Sequence, residues 1–281
     1  STVRVTNSGM GCPSWPLCYG HIGPVDEFHA LMEQSHRYLA GLVTVCAFST
    51  AVAARRARVR RMAFVPATVA AGLVLFQAGL GALTVLAKNA PWTVSVHLVV
   101  GLVFLAVTVV TAVTTVRAPR GSWSLHAVGR SGWVLLAALL ATIVGGTLVV
   151  ANRAGGACPA WPLCPSWASS LANWQLVHRS LAGAAGVSLV VFVFSRWRTA
   201  SGRGRGGALI LVGLFITVAS FGAASALSRA APAWQDVHLA MVALLWASAV
   251  AMVTVMATGH PLSRTAKRTQ PSSRAELQEV H

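Results

Sequence analysis

The sequence predicts an all-α polytopic membrane protein folded as two pseudo-symmetric four-helix bundles. Three features carry that prediction: apolar runs of membrane-spanning length, basic residues kept to alternate connections, and one set of motifs that occurs twice in the same order. Seven apolar runs stand at about 36–54, 62–87, 93–116, 131–151, 174–194, 208–228 and 236–258. Each approaches the ~20 residues a helix needs to cross the hydrocarbon core. Only 10% of the 281 residues are charged, against about a quarter in soluble domains, too few to coat a water-exposed surface. No segment alternates as a barrel strand does.

The formal charge of +16 would suit a nucleic-acid partner, but its placement assigns it to topology instead. RRARVRR at 55–61 carries five basic residues. Arg117, Arg120 and Arg130 lie in the third connection, and Arg196, Arg198, Arg203 and Arg205 in the fifth. Arg264, Lys267, Arg268 and Arg274 lie in the tail. The opposite side holds Arg4, Lys88, Arg153 and Arg229, with Arg37 and Arg179 at helix entries. Basic connections stay cytoplasmic. The lipid bilayer, not nucleic acid, is therefore the expected macromolecular partner. The cysteine-bracketed segments GCPSWPLC (11–18) and ACPAWPLC (157–164) then face an extracytoplasmic compartment that permits disulfides. Compact loops and an Ala/Arg/Val/Gly-rich composition suggest a bacterium, hence its plasma membrane.

Cys12 and Cys158 are 146 residues apart, as are Cys18 and Cys164. HRYLAG (36–41) matches HRSLAG (178–183) at an offset of 142, and APWTVSVHL (90–98) resembles APAWQDVHL (231–239) at 141. Three blocks in one order indicate an internal duplication. The expected organisation is an N-terminal half at 1–120, a C-terminal half at 121–260 and a polar cytoplasmic tail at 261–281. The second unit opens with the run at 131–151, whose exit TLVVANRAGGAC aligns with STVRVTNSGMGC at the start of the chain. This alignment predicts a further helix before Ser1, for eight in all, of which seven are present.

The repeat places His36, His97, His178 and His238 at equivalent outer helix ends. A single histidine there could be a hydrogen-bonded core residue. Four at matched positions point to ligands, because ionisable residues in membrane helices are costly and usually functional. Two imidazoles per unit are too few for a bare zinc site without cysteines, whereas haem iron needs only axial ligands. Ala40, Gly101 and Ala182 follow three of the histidines by one turn, with Gly41 and Gly183 next, and suit either a flat macrocycle or close helix packing. Val242 breaks that pattern. Arg37 and Arg179 suit haem propionates or lipid headgroups equally.

Glu33 precedes His36 by one turn, and its counterpart in the second unit is Gln175, which cannot titrate. This suggests a reactive first unit, unless Glu33 is merely a solvated loop acid. A disulfide across either cysteine loop would stabilise by roughly 2–3 kcal/mol and cap the bundle mouth. A redox role for the first pair is the alternative. Cys46, mid-helix, reads as inert packing.

SGMGCPSWPLC, then EQSHRYLAG, then HL opening a later helix, with the set echoed in the second half, resembles the haem A synthase family over the chain to about residue 258. The resemblance implies an oxidoreductase acting on a methyl CH group. It would oxidise the C8 methyl of haem O to the formyl of haem A through an alcohol. His36 and His97 would flank the substrate haem, with Glu33 the essential glutamate. His178 and His238 would ligate a haem B cofactor, so that all four histidines are iron axial ligands. Cys12 and Cys18 would be the activity-linked pair, and Cys158–Cys164 the second-half disulfide. Implied partners are haem O synthase, a quinone or other electron acceptor, and cytochrome oxidase as the user of haem A. A di-haem b-type carrier linked to quinol shares the histidines but does not account for Glu33. A transporter would bind nearer the bilayer midplane.

Overall fold

The computed structural model describes residues 3, 6, 8–57, 61–117, 123–164, 170–198 and 200–258. Arg4, Arg58, Arg60, Arg120 and the expected tail at 261–281, with its four basic residues, lie outside the described residues. Among the described residues there are seven helices: α1 (Phe28–Arg56), α2 (Arg61–Leu86), α3 (Pro91–Arg117), α4 (Leu125–Ala151), α5 (Ser170–Trp197), α6 (Gly202–Leu227) and α7 (Pro232–Thr258). All seven are long and apolar enough to cross a membrane. The protein is thus an all-α, multi-pass membrane protein.

The helices outrun the apolar runs that predict them, because their polar ends continue the same backbone. α1 begins at Phe28 and carries Glu33, Gln34, His36 and Arg37 in its first turns. Glu27 caps it, its carboxylate accepting from the Ala30 N–H at 2.6 Å. That bond holds the Glu27 carboxyl below its usual range. α4 bends at Gly129, where φ is +67° and ψ 169°. The carbonyl of Val128, freed at the bend, accepts from Arg196 of α5. Only glycine tolerates that backbone conformation at little cost. The apolar run at 131–151 therefore begins just beyond the bend.

Helices α4, α5, α6 and α7 pack as a closed ring: α4 on α5, α5 on α6, α6 on α7, and α7 back on α4. Helices α1, α2 and α3 form an open row in which α1 rests on α2 alone. α3 joins the row to the ring by packing on both α4 and α7. The main apolar core fills the ring and includes Leu135, Leu139, Leu189, Phe192, Leu211 and Trp246. At the seam, Trp246 Nε1 donates to Leu102 O at 2.9 Å, and Ser95 Oγ to Thr147 O at 3.3 Å. Cys46 is exposed on α1. Among the described residues it therefore makes no buried packing contact of the kind expected.

Gly129→Ala should lower stability by about 1–3 kcal/mol without changing helix content, seen as an earlier unfolding midpoint in detergent. Glu27 makes a second prediction. Its folded pKa is depressed, so its contribution is present above the unfolded value and lost as pH falls through the folded one. Amide exchange at Ala30, corrected for its intrinsic rate, should accelerate as pH falls through the lowered carboxyl range. Glu27→Gln should abolish that dependence.

Candidate functional site

In the ring His178 lies within electrostatic range of His238. In the row His97 lies within range of His36. The pairs are therefore those the repeat predicts, one helix apart within each unit. His178 Nδ1 lies 3.1 Å from Thr142 O on α4, and His238 Nδ1 3.0 Å from Val218 O on α6. A carbonyl oxygen only accepts, so Nδ1 carries the proton in both rings and Nε2 is left as the ligating nitrogen. Glycines let the rings lie against the neighbouring helix. A Cβ on Gly146 would stand 3.1 Å from His178 Cε1, and one on Gly222 3.0 Å from His238 Cε1. On the row side the same contact, between Gly81 and His97 Cε1, is 3.5 Å.

Among the described residues, no three His, Cys, Asp or Glu side chains gather as a bare-metal site. Each pair instead offers two imidazoles, a donor set that would suit a metal bringing ligands of its own. His178 and His238, each with Nδ1 tied to a backbone carbonyl, would fit a haem iron as ligands. A Cβ on Gly41 or Gly183 would meet nothing within 4 Å, so of the two expectations close helix packing does not apply to them, and Gly101 makes room for the Gln77 side chain.

Above each pair sits a disulfide loop, Cys12–Cys18 or Cys158–Cys164. The two loops are held alike. Arg37 Nη1 donates to Ser14 O at 2.8 Å and Pro16 O at 3.1 Å, and Nη2 reaches Cys12 O at 3.5 Å. Arg179 donates to the three equivalent carbonyls: Ala160 O at 2.8 Å, Pro162 O at 3.0 Å and Cys158 O at 3.1 Å. Both arginines thus bind the loops, a partner that neither the propionate nor the headgroup alternative anticipates. Each loop also abuts a helix turn whose two residues have positive φ, Lys88 and Asn89 or Arg229 and Ala230. Gly9 faces Asn89, and Gly155 faces Ala230.

The two units part company at one residue. Glu33 is only 4% exposed, which removes the solvated-acid alternative. Its Oε2 accepts from the Cys12 N–H at 2.9 Å, and its Oε1 pairs with Arg37 Nη2 at 2.5 Å. Gly11 permits this approach: a Cβ there would lie 2.2 Å from His29 O. Gln175 fills the same place in the second unit: its Oε1 keeps the arginine contact, with Arg179 Nη2 at 3.5 Å, but its other end donates where Glu33 accepts. Its Nε2 donates to Ala154 O at 2.9 Å and Gly155 O at 2.7 Å. Gln77, absent from the sequence expectations, donates through Nε2 to His97 O at 2.7 Å. Its signal was available in the repeat register, where it stands opposite Val218.

A multi-pass bundle with two histidine pairs, each under a disulfide loop and suited to a haem, defines the class. Residues 1–250 match the COX15-CtaA model, described as cytochrome oxidase assembly protein, and the chain belongs to that family. Heme A synthase of Shewanella oneidensis is 29% identical over 194 residues, covering 60% of this chain and 57% of that protein. Heme A synthase of Geobacillus thermodenitrificans is 31% identical over 170 residues, 58% of this chain and 54% of the relative. That of Symbiobacterium thermophilum is 29% identical over 219 residues, 70% and 68%. The chain thus spans little more than half the length of the first two relatives.

Arg179→Ala should free the 158–164 loop. Losing charge-assisted bonds worth about 2 kcal/mol should speed amide exchange there about 30-fold while helix content holds. Arg179→Lys should recover only part of the protection, because an ammonium cannot fork across three carbonyls.

Proposed function

We propose that the chain acts as a haem A synthase, an oxidoreductase that converts the C8 methyl of haem O to a formyl group through an alcohol. The net change on that carbon is loss of two hydrogens and gain of one oxygen. The observation that carries the reading is the buried Glu33, ionically paired and tied to the cysteine loop in the first unit only. The names of the relatives agree with it.

The N-terminal half, 1–120, takes haem O as substrate between His36 and His97. The C-terminal half, 121–260, holds haem B between His178 and His238. When bound, haem B supplies one-electron redox chemistry. The chain's own residues do the rest. The carbonyls of Thr142 and Val218 keep His178 Nε2 and His238 Nε2 available as ligands. Glu33 takes or holds a proton as charge develops at the substrate methyl, with Arg37 and the Cys12 N–H fixing its two oxygens. Arg37 and Arg179 act through the loops they clamp, which limit the access of water to each pair. With water supplying the oxygen, the four electrons that leave the methyl carbon would go to a quinone or other acceptor. The protein sits in a bacterial plasma membrane with both cysteine loops extracytoplasmic. Haem O synthase supplies the substrate, and cytochrome oxidase uses the product.

The test is haem extraction from cells that make haem O, with the products identified by mass. Wild type should yield haem A or its alcohol precursor. Glu33→Gln should lower that yield about 10²–10⁴-fold, the usual contribution of a general acid or base, and leave haem B unchanged. Haem B alone in the wild type would instead identify an electron carrier.

A further inference from the structure

The inference here rests on the haem reading above and concerns the ligand His97. Three facts meet beside that residue. First, among the described residues two buried side-chain polar atoms lack any partner, Gln77 Oε1 and His97 Nδ1. Second, the two residues are already joined, because Gln77 Nε2 donates to the backbone carbonyl of His97 at 2.7 Å. That bond also fixes which way the carboxamide points. A carbonyl accepts only, so the amide nitrogen faces it and Oε1 is the acceptor left over. Third, the second unit handles the same place differently. Val218 stands opposite Gln77 in the repeat register, and its backbone carbonyl receives His238 Nδ1. Gly101, which clears space for Gln77 Nε2 at 3.1 Å, stands opposite Val242. A polar side chain with a glycine beside it in one unit therefore replaces two valines in the other.

A buried acceptor without a donor and a buried imidazole nitrogen without an acceptor each cost free energy. They are complementary and belong to residues already in contact, and a turn of the Gln77 side chain that exchanges its bond to the His97 carbonyl lets each relieve the other. We propose that Gln77 is the positioning residue for His97: its side-chain carbonyl accepts the Nδ1–H that fixes His97 Nε2 on iron, in place of the backbone carbonyl that ties His238. A side-chain tether can release and re-form, whereas a helix carbonyl cannot move away. The first unit must admit haem O and discharge its product, and the second must retain its haem. The difference in tether matches that difference in duty.

The experiment compares wild type, Gln77→Val, Gln77→Glu and His97→Ala, purified in detergent from cells making haem O and haem B. Haem retention in each half and the ferric low-temperature EPR spectrum are read, with the midpoint potential of the first-half haem. Gln77→Val copies the second unit and should weaken first-half retention about 10–100-fold, the usual cost of losing an outer-shell partner. Its EPR signal should shift while second-half haem stays bound. Gln77→Glu should keep the haem and lower its potential, since a carboxylate acceptor makes the imidazole a stronger donor. Unchanged retention and EPR in Gln77→Val overturns the inference, as does loss of both haems, which would mark a general packing role. An unchanged first-half signal in His97→Ala overturns the haem reading itself, and the inference with it.

Discussion

Each outer mouth of the bundle is closed by a loop with little apolar substance of its own. Cys12 and Cys18 bury only against Ala30 and Val25, and Cys158 and Cys164 against Ala172, Ala160 and Leu176. Each loop is gathered by one guanidinium, spread over four carbonyls by Arg37 and three by Arg179, which a neutral side chain could not do. The arginine stands on the helix beside its histidine and one turn beyond Glu33 or Gln175. Loop, buried side chain and ligand helix are thereby one mechanical piece. Inside this piece Glu33 has both an arginine partner and a backbone donor.

The duplication makes the molecule its own control. Arg37 with Arg179, the paired left-handed turns and the Gly81 and Gly222 contacts recur in register, so they belong to the architecture. Glu33 against Gln175 and Gln77 against Val218 do not recur. Both departures lie around the histidines of the first unit. One brings a carboxylate in place of a carboxamide, and the other a carboxamide whose Oε1 has no partner in place of a valine.

Much of this was legible in the sequence. Apolar run length located every helix, because a membrane helix must hide its backbone and the code for that is coarse. The Cys, His and Arg offsets exposed the duplication and paired the histidines. The polar first turns of α1 were not legible, since Glu33, Gln34 and Arg37 carry no apolar signal and look like loop. The arginines' partners were hidden for another reason. Backbone carbonyls are present at every residue, so no residue type announces that a loop will turn three of them toward one side chain. Gln77 escaped because attention went to ionisable groups, although the register alone set it against a valine.

The ring closes late in the life of the chain. Ser124 N–H, at the start of α4, donates to Ala257 O at 2.8 Å, and Arg117 Nη1 reaches Val255 O at 3.4 Å across 138 residues. A ribosome delivers α4 long before α7 exists, and segments made first begin to fold first. Hairpins α4–α5 and α6–α7 can form as they emerge, but α3 and α4 must wait in the bilayer with one face uncovered. Biogenesis therefore passes through a stage in which the seam is open to lipid. Truncation or slow translation ahead of α7 strands the chain there, with both pairs of histidines synthesised except the last.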